Sequence, residues 1–265
     1  MIEAQNTGNY ALVAGGSKGI GFALAEALAK RGYHLILVAR NLKDLATAQE
    51  SLQKRFTVRV EILSYDLSLE KSQHEIASWC TGREFSLKIV CNVAGVGGAK
   101  DFLDQPLDQT RYMTALNLGM PVAMTQLLLP LLEKNLPAYI LNVASMAAFA
   151  PIPVKNLYSA TKSGVLFFSL ALRQQLRDRR ISVSCLAPGP VFTKPEIVEE
   201  TKKQLGWLGM RMAVPPHRVG EIAIRKLLRG RMLIVPGTLA GMVAAILRIL
   251  PARWVANIYK KMEAV

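Results

Sequence analysis

Cysteine is scarce. Cys80, Cys91 and Cys185 are the three in 265 residues, too few for a closed disulfide framework. All three read as reduced thiols, which places the chain in the cytoplasm. Acidic residues are also short: 19 Asp and Glu stand against 33 Lys and Arg, a net charge of +14. The deficit sits at one end. From Thr201 to Val265 there are twelve bases and two acids, Glu221 and Glu263, so 12 − 2 = +10 of the charge lies there. Such asymmetry points to an anionic partner: nucleic acid, a membrane surface or an anionic substrate. No recognisable nucleic-acid module accompanies the charge, so no nucleic-acid partner is expected. No metal site is expected either.

Long apolar runs are missing as well. Met1–Tyr10 has neither the basic start nor the apolar stretch of a secretory signal. The longest apolar run, Thr238–Leu250, falls short of the roughly 20 residues needed to cross a bilayer. There is no Ser/Gly-rich linker, low-complexity tract or internal repeat, so 1–265 is read as one domain. The chain is instead rich in core-forming residues: 51% are hydrophobic and 20% charged, which excludes intrinsic disorder.

Apolar runs alternate with helical patterns. Tyr10–Ala14, His34–Ala39, Val58–Leu63, Leu87–Val93, Ala138–Val143, Ile181–Leu186 and Met232–Val235 read as strands. Ile20–Arg31, Leu42–Arg55, Ser72–Cys80, Asp108–Leu132, Tyr158–Arg177 and Arg218–Leu228 read as helices. Pro121, inside the longest, is expected to kink it or mark a junction. This order predicts an α/β fold: a single-domain, Rossmann-like, doubly wound parallel sheet of about seven strands with helices on both faces.

Gly15, Gly16, Gly19 and Gly21 cluster between the first strand and the first helix, with Ser17, Lys18 and Ile20 among them. Glycines there let backbone N–H groups approach a pyrophosphate, and the helix N-terminus adds a favourable dipole. They also serve plain tight turns; the position directly after a first strand favours nucleotide binding. Tyr158 and Lys162 lie four apart at the start of a helix and share a face. A phenol has a reference pKa of about 10, and a nearby ammonium lowers it. Such a tyrosine donates a proton to a carbonyl oxygen as hydride arrives, or removes one from an alcohol. Ser145, just after the fifth strand, is placed to hydrogen-bond the substrate oxygen.

The spacing Gly15-x-x-x-Gly19-x-Gly21 is followed in order by Asp66-Leu67, Asn92-Val93-Ala94-Gly95, Asn117, Ser145, Tyr158-Ser159-Ala160-Thr161-Lys162 and Pro188-Gly189. From Ala14 to Thr193 the chain resembles the classical short-chain dehydrogenase/reductase family. The resemblance implies a catalytic tetrad of Asn117, Ser145, Tyr158 and Lys162, with Asn117 holding a water on a proton path to Lys162. It implies cofactor contacts from Gly15, Ser17, Lys18, Gly19, Ile20, Gly21, Arg40, Asp66, Leu67, Asn92, Ala94, Gly95, Tyr158, Lys162, Pro188, Gly189, Val191 and Thr193. Asp66 is expected to accept from the adenine amino group, or to cap a helix, or both. The second strand ends at Arg40 with no acid for a ribose 2′-OH. Arg40 and Lys18 sit where the family reads a 2′-phosphate, so NADP(H) is expected over NAD(H); both otherwise serve as surface cations. Subunits are expected to pair as a homodimer or homotetramer through the helices carrying Asn117 and Tyr158. Two departures stand out. Ala14 replaces the family's usual Thr and Val93 its second Asn, which is expected to weaken the bracing there by about 1 kcal/mol for each net bond lost.

Residues 190–217 are expected to form a substrate lid, with Phe192, Trp207, Met210 and Met212 offering an adaptable apolar surface. The resemblance turns Phe102, Phe149, Pro151 and Ile152 to the same cleft. An apolar carbonyl or alcohol substrate follows, although packing on the core explains the same composition. Residues 238–265 read as a basic amphipathic appendage. Leu239, Met242, Val243, Ile246, Leu247 and Leu250 form one stripe; Trp254, Val255, Ile258 and Tyr259 form another beyond Pro251. This tail meets a membrane surface peripherally, covers the cleft, binds a second subunit or stays disordered. The expected activity is NADPH-dependent reduction of an apolar ketone, aldehyde or 3-oxoacyl group to an alcohol. The alternatives are a steroid- or retinoid-like alcohol dehydrogenase working oxidatively, and a non-catalytic nucleotide-binding or membrane-associated protein.

Overall fold

The computed structural model describes residues 8–83, 85–98, 102–192 and 195–263. Residues 1–7, screened above for a leader, and Thr193 lie outside them. Along the chain run β1 (Tyr10–Ala14), α1 (Gly19–Ala29), β2 (His34–Ala39), α2 (Leu42–Arg55), β3 (Val60–Ser64) and α3 (Glu70–Thr81). Next come β4 (Leu87–Asn92), α4 (Leu107–Thr114), α5 (Met120–Lys134), β5 (Ala138–Val143), α6 (Asn156–Gln175) and β6 (Ile181–Leu186). The chain continues through α7 (Pro195–Met212), α8 (Pro216–Leu228), β7 (Leu233–Ile234), α9 (Thr238–Leu247) and α10 (Ala252–Glu263).

The seven strands form one parallel sheet in the order β3-β2-β1-β4-β5-β6-β7. The central strands are buried on both faces, which is why their sequences run apolar instead of alternating. On one face α1, α2 and α8 supply Leu24, Leu28, Leu45, Leu52, Ile224 and Leu227 to the core; on the other α3 and α5 supply Ile76, Leu128 and Leu132. Helices α1 and α8 meet closely, because Gly220 has no side chain: a Cβ there would lie 2.2 Å from the Ala23 carbonyl oxygen. Strand order reverses between β1 and β4, opening a crevice at their carboxyl ends.

Two expectations change in detail. β3 begins at Val60, not Val58, because the Val58 N–H bonds back to the Phe56 carbonyl. The long central helix is interrupted at Ala115–Gly119 by a π turn, in which the Met120 N–H reaches the Ala115 carbonyl. Pro121 accounts for it: it has no N–H to give the Asn117 carbonyl, and its ring crowds that carbonyl. The junction expected at Pro121 therefore falls one turn earlier and includes Asn117. By length and composition Leu107–Lys134 is long and apolar enough to cross a membrane. Here it packs on α3, β4, β5 and α6 as a core helix.

The described part of the tail is folded. α9 packs on α7 and on the short turn Met146–Phe149; α10 packs on α7 and on Pro153–Lys155. That removes disorder from the alternatives for this segment. All three cysteines are free and buried.

Candidate active site

The glycine turn is stitched between two strand ends by main-chain bonds. Gly15 N donates to the Val38 carbonyl at 2.7 Å, and Val93 N and Ala94 N both donate to the Ala14 carbonyl, at 2.9 and 2.8 Å. Ala14 and Val93, the two departures from the family pattern, are thus held by backbone groups. The turn leaves no room for side chains. A Cβ on Gly15, at φ 95°, would lie 2.6 Å from Ala94 N, and one on Gly21 would lie 1.8 Å from the Gly15 carbonyl oxygen. Lys18 precedes α1 without a side-chain cap bond, and the helix has no acid in its first turn. Its first N–H groups and positive dipole end therefore meet no competing carboxylate within the helix.

Lys18 reaches α2 instead of solvent alone: its ammonium pairs with Asp44 at 2.8 Å. Arg40 is exposed at the end of β2, its guanidinium 5.6 Å from the centre of the Tyr112 ring. Asp66 caps no helix. Its Oδ1 accepts from Ser68 N at 2.9 Å and Ser68 Oγ at 2.7 Å, while α3 starts later, after Leu69. Leu67 is buried beside it. Tyr112, which sequence reasoning missed, stands between Arg40 and Asp66 with a buried hydroxyl. Burial raises that phenol's pKa, the Arg40 charge lowers it and the Asp66 charge raises it. Nothing in the spacing marks Tyr112; only the passage of α4 over the carboxyl edge brings it there.

The Asn92 side chain is 1% exposed and turned inward, where Nδ2 donates to Asn142 Oδ1 at 2.8 Å and Thr125 Oγ1 at 3.1 Å. Asn142 Nδ2 donates in turn to Ser169 Oγ at 3.0 Å. This buried chain ties β4, β5, α5 and α6 together beneath the site, and leaves Asn92 only its main chain for the crevice.

Of the expected tetrad, Asn117, Tyr158 and Lys162 are brought together at the ends of β4 and β5, and Ser145 follows β5. Lys162 is 4% exposed, and its Nζ donates to the Val143 carbonyl at 2.9 Å and lies 5.9 Å from the centre of the Tyr158 ring. Burial lowers its pKa to about 8, opposed weakly by Cys185. Asn117 is fully buried; Oδ1 accepts from Val96 N at 2.8 Å and Nδ2 donates to the Val96 carbonyl at 2.9 Å. Nδ2 also lies 3.3 Å from Thr161 Oγ1, which donates to the Tyr158 carbonyl. A Cβ on Gly95 would lie 3.0 Å from Asn117 Oδ1 and 3.2 Å from Lys162 Nζ, so a side chain there would press on both groups. Ser145 is half-buried, and its Oγ accepts from Ala147 N at 3.2 Å. Its turn is anchored to α6 by the Ser163 Oγ bond to the Ala148 carbonyl, and to Pro188 by Met146 N. Pro188 and Val191 are buried, and Gly189 packs near Met146, Met212 and Ala240.

Helix α7, in the segment expected to form a lid, breaks at Gly206, where φ is 52°. Met212 is buried, but Trp207 and Met210 are exposed, with the Arg211 guanidinium beside the Trp207 ring. These two large side chains do not pack into the core. Phe149 and Ile152 are half-buried, and Phe102 and Pro151 are exposed.

The glycine turn and the Tyr158–Lys162 pair thus both lie at the carboxyl edge of one doubly wound parallel sheet, in the order the resemblance implied. Residues 9–204 match the short chain dehydrogenase family, and the chain belongs to it. Over 191 residues it is 35% identical to the very-long-chain 3-oxoacyl-CoA reductase of Macaca fascicularis. It is 30% identical, again over 191 residues, to the 17-beta-hydroxysteroid dehydrogenase type 3 of Homo sapiens. Each match covers 71% of this chain but only 61% of the relative, so the chain spans less than two thirds of their length. L-Sorbose reductase from Gluconobacter frateurii, solved with NADPH and L-sorbose, shares the fold with a TM-score of 0.77 at 23% identity. That likeness covers 90% of this chain and 99% of the other.

The glycine contacts fit a dinucleotide phosphate and give a direct prediction. Gly21→Ala forces the Gly15 carbonyl to move, lowering stability by about 1–3 kcal/mol. Affinity for a nicotinamide dinucleotide is expected to fall with it. Thermal melting with and without cofactor checks both; a variant that melts and binds like wild type contradicts the close approach.

Proposed function

We propose that the protein uses NADPH to reduce the carbonyl of an apolar ketone, aldehyde or 3-oxoacyl substrate to an alcohol. The observation that carries this reading is the Lys162 ammonium, buried against the Val143 carbonyl one helical turn beyond Tyr158. Burial disfavours a charge, so an ammonium held there beside Tyr158 supports a functional role. When bound, NADPH supplies the hydride. The main chain of Gly15, Ser17, Gly19, Ile20 and Gly21 would hold its pyrophosphate. Asp66, Leu67 and Tyr112 would frame the adenine, and Arg40 and Lys18 the 2′-phosphate. The Lys18–Asp44 pair is exposed on the lysine side and contributes little, so Lys18 is easily drawn to a phosphate. The main chain of Asn92, Ala94 and Gly95, together with Lys162, would face the nicotinamide ribose; Pro188, Gly189, Val191 and Thr193 would face the carboxamide.

Tyr158 then gives its proton to the carbonyl oxygen as the hydride arrives, and Ser145 donates a hydrogen bond to the same oxygen. We assign proton resupply to Lys162. The Asn117 carbonyl, which receives nothing from Pro121, serves as the acceptor for a relaying water. The name of the Macaca relative supports acyl-chain carbonyl reduction. The human relative's name favours a second reading, oxidation of a steroid-like alcohol; comparing kcat/KM with NADP⁺ and NADPH separates the two. Exposed Phe167 on α6 and Leu107 on α4 support pairing of subunits into a homodimer or homotetramer. We place the enzyme in the cytoplasm, peripheral at a membrane surface.

The test is NADPH and NADH oxidation over a panel of apolar carbonyls. Turnover with NADPH preferred is expected; no turnover on any of them overturns the reading. Arg40→Ala is expected to lower kcat/KM for NADPH by about tenfold or more, as loss of one charge-assisted contact would. NADH turnover should not change. Equal losses with both cofactors would remove Arg40 from phosphate recognition.

A further inference from the structure

Helix α9 is built inside out. Its buried positions are small, Ala240 and Ala244, while Met242, Ile246 and the following Ile249 point outward, exposed by 55% to 84%. From Thr238 to Leu247 no residue carries a charge. Helix α10 adds Trp254 and Ile258, each at least half exposed, beside its buried Val255. A helix that is apolar all round, with its larger side chains outward, is only half covered by its own domain. The face is also well placed. α9 rests on Met146–Phe149, which carries on from Ser145, and α10 rests on Pro153–Lys155 and on the lid. The two helices therefore flank the mouth of the substrate cleft.

Charge decides what covers this face. Arg248, Arg253, Lys260 and Lys261 are all exposed around it, and Glu263 is the one acid between 238 and 263. A second copy laid face to face would bring two such sets of cations together. Anionic lipid headgroups neutralise them, each cation near such a surface contributing about fivefold in affinity. Trp254 at the edge of the apolar face suits the headgroup boundary.

We propose that α9 and α10 form a docking face for anionic lipid bilayers, on which the substrate cleft opens toward the membrane. Met242, Ile246, Ile249, Trp254 and Ile258 enter the headgroup boundary, and the four cations lie on lipid phosphates. The substrate is then a carbonyl compound whose apolar chain dissolves in the bilayer. That last step rests on the proposed reductase activity; the docking face does not.

The full-length protein is sedimented with vesicles of phosphatidylcholine alone and with phosphatidylglycerol added. It is expected to pellet with the anionic vesicles and to be released by salt. Ile246→Glu with Ile249→Glu is expected to weaken vesicle affinity by at least about tenfold. Arg253→Glu with Lys260→Glu should do the same, with Tm and NADPH-dependent turnover of a short water-soluble carbonyl unchanged in both. Equal recovery in the supernatant with either vesicle overturns the docking face. So does an Ile246→Glu, Ile249→Glu protein that pellets like wild type but elutes as a smaller oligomer, because a second copy then covers the face. Vesicle binding without turnover on any carbonyl upholds the docking face and overturns the reductase reading alone.

Discussion

Tyr158→Phe is expected to lower kcat/KM for carbonyl reduction by about two to four orders of magnitude, the usual worth of a positioned general acid. The substitution removes one oxygen and keeps the ring. Phenylalanine keeps the contacts made by the ring and main chain: Gly97 lies against the ring edge, and Thr161 Oγ1 bonds to the Tyr158 carbonyl. NADPH affinity should therefore stay at its wild-type value. Turnover measured beside a cofactor titration separates the cases. Weakened NADPH binding in parallel with turnover would mean that the hydroxyl serves binding and not proton transfer.

Lys162→Met should separate activity from stability. The ammonium is desolvated, which lowers its pKa to about 8, while an unfolded lysine holds its proton to about 10.4. Between these values the unfolded chain binds the additional proton, so folding stability rises with pH across that window. Below about pH 8 the folded protein carries the full penalty of a buried charge. Methionine fills a similar volume without it, offset by leaving the Val143 carbonyl unpaired. At neutral pH the variant should melt no lower than wild type, yet lose at least about a hundredfold in kcat, in line with removal of one electrostatic group from an active site. Wild-type kcat/KM in the reductive direction should fall as pH rises through about 8, where Lys162 loses its charge, and the variant should show no such limb. A variant that loses stability and activity together would make Lys162 a structural residue only.

Much of this architecture is legible in the chain because the relevant signals are local. Central strands buried on both faces leave unbroken apolar runs such as Leu35–Val38, and the helices between them carry their own periodicity. Glycines at 15 and 21 are legible because their spacing records a close backbone approach, so close that a Cβ on Gly21 would lie 1.8 Å from the Gly15 carbonyl oxygen. The Tyr158–Lys162 pair lies within one helical turn. What escaped depends on contacts between distant segments. Tyr112 reaches Arg40 across the sheet edge, Lys18 pairs with Asp44 on another helix, and the Asn92 side chain turns inward to Asn142 and Thr125. The tail shows the same limit. Periodicity groups Met242 and Ile246 into one stripe with Leu239 and Val243, but it cannot say which side of a helix faces the domain. Ala240 and Ala244 are the buried positions of α9, which packs on the turn after Ser145, with Ala240 near Gly189.

The most direct test follows the hydride itself. NADPH carrying deuterium at both C4 positions of the nicotinamide is incubated with the enzyme and an apolar ketone, and the alcohol is examined by mass spectrometry. Deuterium at the carbinol carbon with wild type, and almost none with Tyr158→Phe, is the predicted result. Product without deuterium, or equal transfer by the two proteins, would contradict hydride reduction assisted by Tyr158.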